Sequence, residues 1–214
     1  MIKILLFLFA LMLAAGCAAE SGSDGPLSVP KTSDKKTLPN IVIDGSAINI
    51  NGAAVWLGDT LDSWKRVLGG SPACYDAGSI VTCVWHSTGL SLGTDHLDKT
   101  RVKFMLLDLT IEPAEFGERA PSWPQSPFRG TLELDGILIY STTAFRDLRR
   151  QVPVARELRC GGSDCGNPSA AFSDGASIHM NLARRSENAP ILSFSISCTR
   201  TRSCTALIPR RGKK

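Results

Sequence analysis

Two segments near the C-terminal end of the chain alternate apolar and polar residues without a break. The apolar members are Ile178, Met180, Leu182, Leu192, Phe194 and Ile196, and the polar members are Ser177, His179, Asn181, Ser193, Ser195 and Ser197. Successive side chains of a strand point to opposite faces, so this pattern predicts antiparallel strands with one buried and one solvent-facing side. The buried side needs a second layer of sheet or helix to cover it.

A hairpin followed by a short helix occurs twice, in residues 46–69 and again in residues 131–152. The first hairpin turns at Asn51-Gly52 and the second at Asp135-Gly136. Asn-Gly and Asp-Gly are the preferred dipeptides of two-residue type I′ turns. The two units form a weak internal repeat.

Both helices show an apolar face and end signals. In the first, which lies within residues 57–72, Asp59 or Thr60 is the expected cap, and Gly69, Gly70 and Pro72 end the helix. Its apolar face consists of Leu61, Trp64, Val67 and Leu68. In the second, Ser141 or Thr142 is the expected cap and Pro153 the end. Its apolar face consists of Phe145, Leu148 and Val152, and its other face carries Arg146, Arg149 and Arg150.

The remaining segments complete the predicted fold. Strands are expected over residues 41–43, 79–85 and 102–111, with a break at residues 89–93. Residues 112–128 contain four prolines and should form an irregular loop. These patterns predict one α+β domain over residues 40–209, built from mainly antiparallel sheet with two short packed helices and stapled by disulfides.

The N-terminus predicts export and lipid attachment. Residues 4–13 form an apolar run that is too short to span a bilayer and typical of a signal peptide. The sequence Ala14-Ala15-Gly16-Cys17 resembles the lipobox of bacterial lipoproteins, which implies removal of residues 1–16 and acylation of Cys17. Ordinary secretion, with cleavage near Ala15 or Ala19, is the alternative. Residues 17–39 are rich in Ser, Gly, Pro and charged residues and should be a disordered tether, while residues 210–214 form a basic tail.

The resemblance to a lipoprotein implies a membrane-anchored protein that faces the periplasm of a bacterial envelope. Ala18, and not Asp, follows the cysteine, which implies sorting to the outer membrane. The formal net charge of +4 is too small to indicate nucleic acid as a partner.

Apart from Cys17, the cysteines are even in number, as expected for disulfides in an exported chain. They are Cys74, Cys83, Cys160, Cys165, Cys198 and Cys204. The spacings favour pairing within 74/83, 160/165 and 198/204. A cross-link between the second and third of these segments, or a zinc site made from their four thiols, remains open.

A second resemblance concerns the first two-thirds of the mature chain, which is similar to an uncharacterised bacterial domain. Its members share I-x-I-x-G, which begins at Ile41 here, then an I-N-G hairpin, the motif LG-x-x-L-x-x-W-x-x-VLG-x-P, and a tryptophan before G-[IL]. The matching residues are Ile50, Leu57, Gly58, Leu61, Trp64, Val67, Leu68, Gly69, Trp85, Gly89 and Leu90; the spacer before Pro72 is one residue longer here. The resemblance implies an immunity protein against a secreted antibacterial toxin. A looser likeness to small lipoproteins of the outer-membrane assembly machinery implies a structural or assembly role instead.

Few residues suggest chemistry. Residues 89–93 match G-x-S-x-G, so a small serine hydrolase using Ser91 with the downstream His179 is one alternative, although no helix is expected after them. A loop with His86, Asp95, His96 and Asp98 is a weak candidate for metal binding. We therefore expect a binding protein without catalytic residues, metal or cofactor.

Trp123 is the principal candidate for contact with a protein partner. It lies among prolines, where no apolar periodicity explains it, and an aromatic residue on such a loop can anchor a partner. The arginine face of the second helix, Arg146, Arg149 and Arg150, is the second candidate, because basic residues can speed encounter with an acidic partner.

Overall fold

A computed structural model describes residues 38–111, 119–160, 165–172 and 175–198. Their strands are β1 (Asn40–Asp44), β2 (Ala47–Ile50), β3 (Ala53–Val55), β4 (Ala73–Asp76), β5 (Val81–Trp85), β6 (Leu90–Thr94), β7 (Val102–Asp108), β8 (Thr131–Leu134), β9 (Ile137–Ile139), β10 (Ser169–Ala171), β11 (Ala176–Leu182) and β12 (Ile191–Cys198). The helices are α1 (Leu61–Leu68), α2 (Phe145–Gln151) and α3 (Pro153–Glu157). Residues 1–37, which include the predicted signal peptide, Cys17 and most of the tether, lie outside the described residues, as do Cys204 and the basic tail.

The strands form two sheets. The five-stranded sheet has the order β3-β2-β1-β8-β9, and the seven-stranded sheet has the order β10-β11-β12-β7-β6-β5-β4. All neighbours are antiparallel except β1 and β8, which confirms the mainly antiparallel prediction. The balanced α+β class is wrong in emphasis: the described helices are short and most of the regular structure is strand, so the fold is mainly β.

One buried cluster joins both sheets and the helices. The predicted apolar face of α1 contributes Trp64, which is fully buried, and α2 contributes Phe145 and Leu148. The strands contribute mainly Ile, Leu and Val: Ile41, Ile43, Ile48, Ile50, Leu90, Leu92, Leu107, Leu132, Leu134, Ile178 and Ile196. The alternation of apolar residues in the sequence therefore locates the core correctly in most strands.

The weak repeat in the sequence corresponds to a repeated order of elements in the fold. In the five-stranded sheet, hairpin β2–β3 lies on one side of β1 and hairpin β8–β9 on the other. Because β2 is antiparallel and β8 parallel to β1, the two hairpins run in opposite directions on the two sides of β1, as in a two-fold arrangement. The strand order of the seven-stranded sheet is symmetric in a similar way: the antiparallel strands β7 and β12 are neighbours at its middle, β6 and β11 flank them, and β5 and β10 come next.

Equivalent hydrogen bonds attach each helix to its sheet. In the first unit, the backbone N–H of Leu61 donates to the carbonyl oxygen of Thr100 (2.7 Å), and the N–H of Val102 donates to the carbonyl oxygen of Asp59 (2.9 Å). In the second unit, the N–H of Phe145 donates to the carbonyl oxygen of Ala189 (3.2 Å), and the N–H of Ile191 donates to that of Thr143 (3.1 Å). Both turns also have positive φ at their two central residues, as type I′ turns require: Asn51, Gly52, Asp135 and Gly136. The two halves therefore share one folding unit.

The helix ends agree with the sequence only in the first unit. Thr60 is the N-cap of α1, and its side chain accepts a hydrogen bond from the N–H of Ser63, as predicted. The prediction of Ser141 or Thr142 as the cap of α2 is wrong, because Ala144 occupies this position and makes no side-chain cap bond. Pro153 ends α2 but also begins α3, since a proline in the first turn needs no hydrogen-bonded N–H.

Two predictions about the strands are wrong. Residues 89–93 were expected to interrupt the sheet, but residues 90–94 form β6. Leu192 was expected on the core face of its strand, but Ile191 is the buried residue there. The cause is a shift of register between β11 and β12 at Asn181 and Leu182, which turns the start of β12.

Local disulfides are present where the spacing predicts them. Cys74 and Cys83 face each other across β4 and β5 and are bonded. Cys160 is bonded to Cys165. Cys198 is also in a disulfide. These sulfurs are therefore not thiolate ligands for the alternative zinc site, even though Glu187 lies close to the second pair.

Candidate functional site

Residues 119–128, here called the Trp123 loop, are held to the seven-stranded sheet at both ends by one residue, Asp108. At the start of the loop, Nη2 of Arg119 lies 2.7 Å from Oδ2 of Asp108. At its end, the N–H of Phe128 donates to the carbonyl oxygen of Asp108 at 2.6 Å. The last residue of β7 thus closes a loop that has no helix or strand of its own, as predicted for this segment.

Further hydrogen bonds brace the interior of the loop. The N–H of Trp123 donates to the carbonyl of Ala120 at 2.9 Å. The side-chain amide of Gln125 donates to the carbonyls of Ala120 and Trp123, at 3.2 and 3.0 Å. The hydroxyl of Ser126 donates to the carbonyl of His86 in the turn after β5. Hydrogen bonds within the loop and to His86 therefore support its backbone conformation.

Trp123 is displayed by this braced loop. Its relative exposure is 47%, and the guanidinium of Arg119 lies 5.6 Å from the centre of its ring, which is a cation–π distance. Four other large apolar residues are similarly exposed: Leu38, Leu97, Leu138 and Tyr140. Trp123 differs from them because its loop is anchored by a buried ion pair.

The two side chains of the Asp108–Arg119 ion pair differ in their exposure to solvent. The side chain of Asp108 is 5% exposed and that of Arg119 is 25% exposed. Burial raises the pKa of the Asp108 carboxyl above its usual value, and the neighbouring Arg119 opposes this rise through charge and a hydrogen bond. The Arg119 guanidinium therefore holds the Asp108 carboxylate in its charged form, and the carboxylate in turn anchors the start of the loop.

A cleft of about 240 Å³ lies beside Trp123. Its lining combines one ion pair with uncharged polar groups: Asp108, Thr110, Arg119, Trp123, Asn181, Leu192 and Ser193. The sequence analysis identified Trp123 but missed Asp108 and Arg119. The one available signal was a lone acidic residue at the end of a long apolar strand, before a proline-rich segment that contains an arginine.

The arginine face of α2 lies near the same end of β12 but outside this cleft. The N–H of Arg146 donates to the carbonyl of Glu187, and the guanidinium of Arg149 pairs with the Glu187 carboxylate. Arg146 also lies 3.6 Å from Asp147, and Arg150 has an interaction of its own. The charges of Arg146 and Arg149 are thus partly neutralised within the domain. Arg149 lines a separate groove of about 920 Å³ together with Glu157 and Arg159.

Ser91 is in the middle of β6 and is 2% exposed. A nucleophile elbow needs a sharp turn between a strand and a helix, and this placement provides neither the turn nor access. His179 lies on β11, where its Nε2 atom is 3.0 Å from Oγ of the neighbouring Ser177. The geometry therefore does not fit the serine hydrolase alternative.

The four residues of the weak metal candidate have separate partners. His86 Nε2 is 3.2 Å from the hydroxyl of Tyr75, and His96 lies 3.3 Å from Asp95. Asp98 accepts from Thr100 and Arg101, and the hydroxyl of Thr100 lowers its pKa most. Within the described residues, no three of these side chains bring their ligand atoms close enough together to share an ion.

The comparisons with known proteins identify a family only. Comparison with curated proteins and with solved structures finds no match. A family model, the domain of unknown function DUF7738, matches residues 40–149. This match includes α1, both hairpins, Asp108 and the Trp123 loop, and it ends within α2 before β10. The chain therefore belongs to the DUF7738 family.

Proposed function

We propose that this protein is a non-catalytic binding protein of the bacterial envelope, which contacts a protein partner through Trp123. The observation that carries the proposal is a half-exposed indole on a loop that is closed by the Asp108–Arg119 pair and braced internally. Tryptophan is one of the residue types enriched at the energetic centre of protein interfaces. A fixed loop also loses little conformational entropy when it binds.

The partner we favour is a secreted antibacterial toxin, which this protein would neutralise by occupying its surface. The support is the resemblance of residues 41–90 to domains of suspected immunity proteins. Arg146, Arg149 and Arg150 would add electrostatic steering toward an acidic surface, although their pairing with Asp147 and Glu187 reduces this effect.

The envelope location is part of the proposal and rests on the N-terminal sequence. Lipid on Cys17 would anchor the chain, and the disulfides agree with an oxidising compartment. Within the described residues no helix has the length and apolar character to cross a bilayer.

Trp123→Ala should weaken binding to the partner about 30-fold, or roughly 2 kcal/mol, because a large apolar anchor is lost from the interface. The measurement is titration of each variant with a secreted toxin that the parent protein binds, together with survival of toxin-challenged cells that carry each variant. Leu97→Ala is the matched control, since Leu97 is 74% exposed but lies outside the loop. Equal loss in both variants, or in neither, would contradict the role of Trp123.

Cys17→Ser should abolish attachment to the membrane fraction, because no acyl chains would remain to hold the protein. Metabolic labelling with a fatty-acid probe should mark the parent protein and leave the variant unlabelled. If neither protein is labelled, the tether is not a lipid on Cys17.

A further inference from the structure

An open groove of about 580 Å³ lies between the five-stranded sheet on one side and α3 and the end of β10 on the other. Its apolar lining comes from Val42 on β1, Pro153 at the start of α3 and Phe172 just after β10. Pro153 is exposed, and Val42 and Phe172 are half-buried. Within the described part of the chain, this apolar surface therefore remains open to solvent.

Four carboxylates surround the apolar lining, on Asp44, Glu133, Asp135 and Glu157. The N–H of Gly45 donates to Oδ1 of Asp135 at 3.1 Å. Among the described residues, Asp44, Glu133 and Glu157 have no ion-pair partner, and no basic residue lines the groove. This surface, here called the acidic groove, thus combines apolar contact area with a local excess of negative charge.

The sequence that follows β12 has the complementary chemistry. Residues 199–214 contain six basic residues and no acidic residue. Within them, the apolar run Ala206-Leu207-Ile208-Pro209 is followed directly by the basic run Arg210-Arg211-Gly212-Lys213-Lys214. Such a segment can place apolar side chains on the lining of the acidic groove and its charges beside the carboxylates.

The last described residue, Cys198, lies close to the acidic groove. It stands opposite Ala176 in the register of β11 and β12. Phe172, which lines the groove, donates its N–H to the carbonyl oxygen of the same Ala176 at 2.7 Å. Because neighbouring strands lie about 5 Å apart, the backbone of Cys198 is about 10 Å from that of Phe172.

The disulfide of Cys198 keeps the following residues near this position. The other described cysteines are bonded to one another, so the partner of Cys198 lies outside the described residues, and the spacing predicts Cys204. That bond would bring the Cα of Cys204 to about 5.5 Å from that of Cys198. Residues 205–214, at up to about 3.3 Å each, can then reach across the whole groove.

We propose that residues 205–214 occupy the acidic groove of their own chain. Leu207 and Ile208 would contact its apolar lining, and the basic residues 210–214 would lie beside its carboxylates. Weak contacts suffice, because a short tether gives the segment an effective concentration in the millimolar range. The acidic groove and the cleft beside Trp123 share no lining residue, so this inference and the proposed function can fail independently.

The test is the rate at which trypsin cleaves after Arg210 and Arg211 in the intact protein, as followed by mass spectrometry. A free peptide of residues 205–214 gives the rate for the undocked sequence. A docked segment is cleaved only while it is released, so we expect the intact protein to be cleaved at least about tenfold more slowly than the peptide. High salt should reduce this difference to about threefold or less, because it screens the charges.

The double variant Asp44→Asn with Glu133→Gln removes two charges from the groove with little change of shape. Its cleavage after Arg210 and Arg211 should be at least about fivefold faster than that of the parent. The double variant Asp62→Asn with Asp147→Asn is the matched control, because it removes two exposed carboxylates outside the groove. It should be cleaved like the parent, and circular dichroism and the melting temperature should show that both variants are folded.

Three results would overturn the proposal: cleavage of the parent as fast as the free peptide, equal acceleration in the two double variants, or acceleration in neither. Protection that disappears when the protein is diluted would also overturn it. In that case the segment would occupy the groove of a second copy of the chain.

Discussion

Gly89→Ala should lower the free energy of unfolding by about 4 kcal/mol. Gly89 has φ of +69°, a conformation that an L residue adopts at some cost. A Cβ atom there would also lie 2.1 Å from the backbone nitrogen of Phe128, which is the end of the Trp123 loop. Because backbone cannot rotate away as a side chain can, the loop would have to move. Urea unfolding measures the loss.

Gly78→Ala separates the two causes. Gly78 has φ of +82°, but nothing lies within 4 Å of its ideal Cβ position. This control should cost only about 1 kcal/mol, from backbone conformation alone. If Gly78→Ala costs as much as Gly89→Ala, close contact with Phe128 is not the reason for the glycine.

The same reasoning explains the G-x-S-x-G match as packing. A Cβ on Gly93 would lie 1.9 Å from the ring of Phe104, the residue opposite it on β7. Gly89 makes room for the returning loop, Gly93 makes room for an aromatic ring, and Ser91 is buried between them. The two glycines of the motif are therefore needed for the packing of β6. The sequence alone cannot distinguish such glycines from those of a nucleophile elbow, because the distinction depends on which strands are neighbours.

Features that depend only on residues close together in the sequence were predictable. The turns at Asn51-Gly52 and Asp135-Gly136, the cap at Thr60 and the apolar faces of α1 and α2 all follow from local chemistry. The turns and the apolar faces follow in both halves, whereas the predicted side-chain cap is found only in the first. The parallel pairing of β1 with β8 does not follow from local chemistry, since it joins residues from different halves of the repeat.

The anchor of the candidate site depends on long-range contacts. Trp123 was identifiable as an aromatic residue without an apolar period, but its support was not. Asp108 and Arg119 become partners only after β7 is placed at the centre of the seven-stranded sheet. Likewise, the shift of register near Leu182 that turns Leu192 into the cleft comes from pairing with β11. Sequence patterns therefore indicated the contact residue and missed the structure that holds it.

Arg119→Leu should destabilise the protein by about 3 kcal/mol at pH 7, because it leaves the buried carboxylate of Asp108 without its counter-charge. The pKa of Asp108 is already raised by burial, and Arg119 is the group that opposes this. In the variant the folded-state pKa should rise further above the unfolded value. The folded state then binds more protons than the unfolded state between these two pKa values, so stability falls as the pH rises through that window.

The cost of Arg119→Leu should therefore be small near pH 4 and largest near pH 7, as measured by urea unfolding across this range. The double variant Asp108→Asn with Arg119→Leu is the control. It has no buried carboxyl to titrate, so its stability should exceed that of Arg119→Leu at pH 7 and lose the pH dependence. Its affinity for the partner should nevertheless stay below that of the parent protein. The introduced amide and leucine side chains cannot form the ion pair that holds the start of the Trp123 loop. If Arg119→Leu costs the same at pH 4 and pH 7, the Asp108 charge is not what fixes the loop to the sheet.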